Sequence, residues 1–386
     1  MKLTSKVLIL DDSPLQQHGT LLQLKACGIE NATLAGSGQE ALSLCAQQQF
    51  DLLICDLSMP HMDGLHFLKK LNLTGYNAAI CILSGMDDGV LKTASTMCKL
   101  MDFSFVTALE KPATRDALFN LLTEINRTER PKNCIAQPLD ITEQDLISAI
   151  QNRELVNYYQ PKFSFNSMKL KGCEVLVRWQ HPKYGIIGPA HFMPLVFQYG
   201  LQNSLFDCVL EQTVTAAAQT SGSCIFSVNA TQTNIETENF ADTILQQCRH
   251  HGVPPSHIII ELTEHEVTEL SPTMLEQLAR IRMNGIGLSL DDFGTGYSSL
   301  LKLSQLPFTE IKIDKEFVTT CTYDIRTQSI VEMICGLAKS MNLRIVAEGV
   351  EDQATWDYLK RVGVGLCQGS LTGMPMPLDE FLKMDA

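Results

Sequence analysis

The sequence predicts an α/β protein in two parts: an open, doubly wound parallel sheet followed by a closed (β/α) barrel. Three observations carry this reading. The chain has 386 residues, more than a single hydrophobic core usually serves. Short apolar runs alternate with helical segments through two successive stretches. Between them, residues 126–139 are polar and carry Pro131, Pro138, Arg127, Arg130 and Lys132, which reads as a linker. The domains are therefore expected at 1–125 and 140–386.

In the first part, strands are expected at 6–10, 32–35, 52–55, 79–83 and 105–108, with helices at 14–26, 38–47 and 65–71. Alternation of this kind places helices on both faces of a parallel sheet and gathers the C-terminal strand ends along one edge. After the linker a helix is expected, with Thr142 or Asp140 as its cap and Leu146, Ile147 and Ile150 on its buried face. Strands are then expected at 158–165, 173–179, 225–228, 258–262, 287–290, 310–313, 344–347 and 365–367. That density of strands and helices over about 230 residues fits a closed barrel. The pattern alone leaves an open sheet as the alternative, and it shows no repeat of about 20–50 residues.

Composition narrows the function. The apolar fraction of 45% is ordinary for a globular chain. A net charge of −13 leaves no basic surplus to neutralise nucleic-acid phosphates, so direct DNA binding is not expected. The segment Val7 to Leu10 is too short for a signal-peptide core and runs into Asp11 and Asp12. No apolar stretch reaches the roughly 18 residues a membrane span needs. The 13 cysteines form no CxxC pair and no zinc ladder. They read as reduced, buried thiols, and the chain as cytoplasmic with no membrane attachment. His181, His250, His251 and His265 read as surface or loop residues, and Trp179 as packing.

Chemistry collects at strand ends. In the first part, Asp11 and Asp12 end the first strand, Asp56 the third and Ser84 the fourth, while Lys111 follows the fifth. Carboxylates at one edge suit Mg²⁺, which prefers oxygen ligands. Asp56 would attack a phosphoryl group while Lys111 and the cation offset the charge of the transferring oxygens. With the run Asp-Leu-Ser-Met-Pro-His-Met-Asp-Gly from Asp56 to Gly64, residues 5–125 resemble the response-regulator receiver domain. The resemblance implies a flavodoxin-like fold, Asp56 as phosphoacceptor, and Mg²⁺ held by Asp11, Asp12, Asp56 and the Ser58 carbonyl. It also implies Ser84 as the switch hydroxyl, Lys111 as a phosphate contact, and a sensor histidine kinase or phosphotransfer protein as donor. The family often has an aromatic residue three positions before the lysine; here it is Ala108, and Phe105 lies further back along the strand.

In the second part, Glu174, Asn229, Glu261, Glu264, Asp291, Asp292, Lys312 and Glu348 lie in or at the ends of expected strands. Carboxylates are costly at converging strand ends unless a cation compensates them. Four carboxylates and an amide oxygen form a hard shell suited to Mg²⁺ or Mn²⁺. Two such ions can clamp the attacking and leaving oxygens of a phosphodiester. In order, Glu174-Val175-Leu176, Asn229-Ala230-Thr231, Glu261-Leu262-Thr263-Glu264, Asp291-Asp292-Phe293-Gly294-Thr295-Gly296, Lys312-Ile313-Asp314, Glu348-Gly349-Val350-Glu351 and Gln368-Gly369 resemble the EAL-domain cyclic di-GMP phosphodiesterases over residues 140–380. The resemblance implies a modified TIM (β/α)8 barrel whose first strand runs against the others. It implies that Glu174, Asn229, Glu261 and Asp291 bind one metal and that Asp291 and Asp292 serve a second. Lys312 and Glu348 would position and activate water, with Gln160, Arg178 and Gln368 near substrate. Glu264 would anchor the loop after Asp292.

The segment from Ser370 to Pro375 departs from the family's usual aromatic and basic residues, which bears on affinity more than chemistry. The function expected is hydrolysis of cyclic di-GMP to pGpG by an oligomeric protein, modulated by phosphorylation of Asp56. The alternatives are a non-catalytic cyclic di-GMP sensor and a receiver-controlled scaffold.

Overall fold

The computed structural model describes residues 6–85, 88–101, 103–129, 141–220, 222, 224–267, 269–294 and 299–385. The chain divides into two compact units, Met1–Pro138 and Leu139–Ala386.

In the first unit, β1 (Val7–Leu10), β2 (Ala32–Ala35), β3 (Leu52–Asp56), β4 (Ala79–Ser84) and β5 (Phe105–Glu110) form one parallel sheet in the order β2-β1-β3-β4-β5. They alternate with α1 (Pro14–Ala26), α2 (Gly38–Gln47), α3 (Gly64–Asn72), α4 (Asp88–Lys99) and α5 (Arg115–Glu129). Period two sorts the strand residues. Leu8, Leu53, Ile80 and Ile82 pack with Phe67 and Leu68 of α3, whereas Ile9, Ile54, Cys81 and Leu83 pack with Leu24 of α1 and Leu118 of α5. Helices therefore cover both faces, and β1, β3 and β4 read as unbroken apolar runs. The strand order reverses between β1 and β3, the switch point where such sheets bind ligands. Helix α5 continues to Glu129, four residues into the segment whose polarity reads as linker. Residues 130–140, with Asp140, lie outside the described residues.

The second unit opens with α6 (Glu143–Gln151), where Thr142 and Asp145 complete a capping box. Leu146 and Ala149 are buried there and Ile147 and Ile150 only partly. β6 (Leu155–Ser164) and β7 (Leu170–His181) follow, and β8 (Gly185–Ile187) pairs outside β7. Then come α7 (Pro189–Gln198), α8 (Gln202–Ala217), β9 (Ile225–Asn229), α9 (Gln232–Ile235), α10 (Phe240–His251), β10 (Ile258–Thr263), α11 (Pro272–Met283), β11 (Gly287–Phe293) and α12 (Ser299–Gln305). The unit ends with β12 (Glu310–Ile313), α13 (Lys315–Val318), α14 (Ile325–Ser340), β13 (Arg344–Ala347), α15 (Gln353–Val362), β14 (Leu366–Cys367) and α16 (Leu378–Asp385).

The strands run β6-β14-β13-β12-β11-β10-β9-β7, and β6 also pairs with β7. The sheet thus closes on itself, which decides between barrel and open sheet. β6 is antiparallel to both neighbours, while the pairs from β7 through β9 to β14 are parallel. The cause is local. Only residues 165–169 join β6 to β7, too few for the crossover that parallel strands require.

Close backbone packing fixes β7 against β9. A Cβ at Gly172 would lie 2.0 Å from the Ile225 carbonyl oxygen. Gly172→Ala must therefore push the two strands apart, and we expect a loss of about 1–3 kcal/mol. For a unit of this size that is a fall in Tm of at least about 2 °C. An unchanged melting curve by circular dichroism contradicts this packing.

Candidate active site and phosphorylation site

In the first unit, Asp11, at the end of β1, and Asp56, in the last position of β3, are 3% and 4% exposed, and Asp12 is exposed. One carboxylate oxygen of each of the three lies within 4.8 Å of the others. The Lys111 ammonium reaches Asp11 Oδ2 at 2.6 Å and Asp56 Oδ2 at 2.8 Å. Burial pushes the Lys111 pKa down, but the two carboxylates outweigh it and hold it above the usual lysine value. Backbone N–H groups fix the other oxygens. Ser13 donates to Asp11 Oδ1 at 2.8 Å and Ser58 to Asp56 Oδ1 at 3.2 Å.

Ser84 is fully buried at the end of β4. A Cβ at Gly64 would lie 2.2 Å from the Asp56 carbonyl oxygen, so the loop after Asp56 folds back only over glycine. Ala108 pairs with Ile82, whereas Phe105 pairs with Ala79 at the far end of β5 and packs toward α1 and α5. No aromatic side chain therefore stands at the Ala108 position.

In the barrel, the parallel strands present their C-terminal ends at one mouth. Glu174 faces Gln160 across the β6–β7 ladder, Glu261 stands beside Asn229, and Thr263 beside Asp291. At the centre is Lys312, with no exposed side-chain surface. Its ammonium lies 3.1 Å from Glu174 Oε2, 3.0 Å from Glu261 Oε2, 3.1 Å from Asp291 Oδ1 and 2.6 Å from Glu348 Oε1. Around it, Asn229 donates to Glu174 Oε1 at 3.0 Å, and Gln368 donates to Glu174 Oε2 at 2.6 Å and to Gln160 Oε1 at 3.0 Å. Gln160 in turn donates to the Gly373 carbonyl at 3.3 Å, tying down the divergent 370–375 segment.

Adjacent strand residues normally face opposite sides, yet Asp291 and Asp292 both serve the mouth. The β11–β12 register slips between Leu290 and Phe293, and Asp292 adopts the left-handed region at φ 54°. This bulge re-aims the second carboxylate. Oxygens of Glu174, Glu261 and Asp291 lie within 4.8 Å of one another, as do those of Asp291, Asp292 and Glu348. Asp291 is common to both groups. Glu264 Oε1 accepts from Gly294 N at 2.7 Å and so holds the start of the following loop. Residues Thr295, Gly296, Tyr297 and Ser298 of that loop lie outside the described residues.

The site is short of positive charge. Burial pushes the Asp291 pKa well above the carboxylate range, and it also raises that of Glu348, with Lys312 opposing in each case. Asp292 is raised by burial and by the neighbouring Asp314. Burial pushes Glu261 up as well, but Lys162 and Lys312 outweigh it and bring it down to about 2. These oxygens fit divalent cations: the donors are hard, they cluster in two groups, and an ammonium already stands among them as a substitute charge.

Arg178 is half-buried. Its Nη1 donates to the Val177 carbonyl at 2.8 Å and its guanidinium lies 5.7 Å from the Tyr158 ring centre. Among the described residues it makes no hydrogen bond to the cluster. Trp179 is core, 1% exposed and bonded to Glu154. His181 packs at a tilt against the Trp179 and Tyr184 rings rather than joining the carboxylates. Sequence reasoning missed Lys162, which is buried and 2.7 Å from Glu261 Oε1. The signal was its two-residue spacing from Gln160, which puts both on one strand face. It also missed Glu310, buried two residues before Lys312.

The model of the EAL domain matches residues 143–375, and that of the response regulator receiver domain matches residues 7–123. The chain belongs to the EAL-domain proteins, with a receiver domain preceding the barrel in sequence. Cyclic di-GMP phosphodiesterase RocR of Pseudomonas aeruginosa is 32% identical over 382 residues, 97% of each chain. The bifunctional diguanylate cyclase/cyclic di-GMP phosphodiesterase MucR of the same organism is 37% identical over 62% of this chain, which spans 35% of that relative. Among solved structures, the MucR phosphodiesterase in complex with c-di-GMP aligns at TM-score 0.59 and 36% identity over 62% of this chain and 98% of that one. An EAL-domain protein of Listeria monocytogenes aligns at TM-score 0.58 and 28% identity over 64% of this chain and 98% of that one.

Proton linkage follows from the raised carboxyls. Folded Asp291 and Glu348 bind protons more tightly than their unfolded counterparts, so metal-free stability falls as pH rises from the ordinary carboxylate range through their raised values. Bound cations displace those protons. The rise in barrel Tm on adding Mn²⁺ should therefore be larger at about pH 8 than at about pH 5, near the ordinary carboxylate range. An equal rise at both contradicts the shifts.

Proposed function

We propose that the chain hydrolyses cyclic di-GMP to linear pGpG by two-metal catalysis, and that phosphorylation of Asp56 modulates the rate. The observation that carries this is the sharing of Asp291 between the two oxygen groups at the barrel mouth. One bridging carboxylate flanked by two others on each side is the donor set a pair of divalent ions needs. Glu174, Asn229, Glu261 and Asp291 would hold one Mg²⁺ or Mn²⁺, and Asp291 and Asp292 the other. When bound, such ions lower the pKa of water and neutralise charge on phosphoryl oxygens.

The protein's own groups do the rest. Glu348, 2.6 Å from the Lys312 ammonium at the barrel mouth, is suited to take the proton of the attacking water. Lys312, held charged among four carboxylates, orients that water and offsets charge on the phosphodiester. Gln368 and Asn229 fix the Glu174 carboxylate by direct hydrogen bonds. Gln160 and Arg178 line the approach of substrate. Glu264 holds the loop after Asp292 in register. The relatives named as cyclic di-GMP phosphodiesterases support the choice of substrate.

In the first unit, Asp56 takes a phosphoryl group from a histidine kinase or phosphotransfer protein, with Mg²⁺ held by Asp11, Asp12, Asp56 and the Ser58 carbonyl. Lys111 offsets the phosphoryl charge, and the Ser84 hydroxyl donates a hydrogen bond to one of the phosphoryl oxygens. The domains run 1–125 and 140–386 about the segment 126–139, whose first four residues continue α5, and the protein works as a cytoplasmic homo-oligomer. No helix among the described residues is long and apolar enough to cross a membrane, and direct DNA binding forms no part of this reading.

Purified protein with Mn²⁺ and cyclic di-GMP should release pGpG. Glu174→Ala should lower kcat at least about a hundredfold while keeping the far-UV circular dichroism of the wild type; wild-type turnover would remove Glu174 from the site. Binding without turnover in the unaltered protein would make it a sensor. Asp56→Asn should take up no label from acetyl phosphate, and wild-type labelling would move the acceptor elsewhere.

A further inference from the structure

Beneath the mouth of the barrel lies a second buried lysine to which the catalytic reading gives no role. Lys162 is 3% exposed. Its ammonium donates to Glu261 Oε1 at 2.7 Å and to Ser227 Oγ at 2.8 Å. Glu310 Oε1 stands 3.9 Å away, and Glu310, itself 1% exposed, lies 3.6 Å from Arg344. Glu261 has no exposed surface and thus meets a lysine on each oxygen: Lys162 on Oε1 and Lys312 on Oε2.

The two contacts are not equivalent. Lys312 reaches Oε2 from among Glu174, Asp291 and Glu348, so Oε2 faces the oxygens grouped for a cation. Oε1 points away from them, toward Ser227 and Glu310. A carboxylate free to rotate could offer either oxygen or both. One whose rear oxygen is held by a charge-assisted hydrogen bond offers only the front one. Ser227 holds the ammonium in turn, and Glu310 offsets its charge without displacing it.

We propose that Lys162 is a positioning residue for the first cation: it locks Glu261 through Oε1, presents Oε2 as a single-oxygen ligand, and keeps the buried carboxylate compensated before the cation arrives. The inference rests on the two-metal reading above and deepens it. Lys162 touches neither substrate nor reacting atoms. Its direct contact is with the group containing Glu261. The group formed by Asp291, Asp292 and Glu348 lacks that residue.

The test is direct Mn²⁺ binding to the full chain, by calorimetry and by the loss of the free-ion spin-resonance signal. Wild type should bind two ions at the barrel, resolved from the receiver ion in an Asp56→Asn background. Lys162→Met should weaken one of the two barrel events about 10–100-fold and leave the other within about threefold. At saturating Mn²⁺, its KM for cyclic di-GMP should stay within about threefold of wild type, because the effect acts through the cation.

Equal weakening of both events means general damage to the barrel and overturns the proposal; so does unaltered binding in a folded variant. Should Lys162→Met fail to fold, Ser227→Ala decides. It keeps the charge but removes one of the ammonium's two hydrogen-bond partners, and the same single event should weaken several-fold; wild-type affinity there overturns the proposal. Absence of any barrel Mn²⁺ binding in the wild type would instead sink the two-metal reading itself.

Discussion

Everything at the barrel mouth is arranged around one buried ammonium. Lys312 is wholly enclosed and sits within hydrogen-bond distance of four carboxylates from four different strands or their ends. Carboxylates brought this close repel one another, and in a low-dielectric interior each is costly without a compensating charge. The lysine supplies part of that charge, while burial, and to a lesser degree the neighbouring carboxylates, raise the pKa values of Asp291 and Glu348. An excess of hard oxygen donors over ammonium groups is what suits such a cluster to divalent cations.

Two local devices bring those side chains together. The short hairpin between β6 and β7 forces β6 to run against the barrel, which sets Gln160 opposite Glu174 and carries Lys162 to the rear of Glu261. The bulge in β11, with Asp292 in the left-handed region, turns two consecutive carboxylates toward one opening. Neither device depends on core volume. Both are backbone features, and both place a charge where strand periodicity alone would not. The first unit reaches a similar end by plainer means, since Asp11 and Asp56 lie at the ends of β1 and β3, on either side of the switch point.

Much of this was legible in the chain. β1, β3 and β4 are buried along their whole length, so their apolar runs stand out, and α1 and α2 end at the residues their periodicity marks. Glu261, Asp291 and Glu348 could be read off because each follows an apolar run, whereas Glu174 lies inside β7 and stands out only as a carboxylate within a strand. What could not be read has physical causes. Residues 126–129 of α5 are as polar as a linker, and only a folded helix distinguishes them. The first residues of β6 follow Arg153 and Glu154, whose charge masks a strand start. The β11 bulge is a register relation between two strands and leaves no mark in either alone. Lys162 resembles any surface lysine until the opposite side of the barrel is in place.

The order of pairing around the barrel has a consequence for how the chain comes to be made. β6 meets β7 across a hairpin, but its other neighbour is β14, some 200 residues later in sequence. The wall therefore stands open along one seam until the final strand is available. A nascent chain that lacks Leu366 and Cys367 exposes unpaired edges on both β6 and β13, the geometry that templates chain-to-chain association. The two-residue β14 is thus a keystone out of proportion to its length. Ribosomal pausing or premature termination shortly before it would leave a nearly finished but adhesive intermediate with its seam still open.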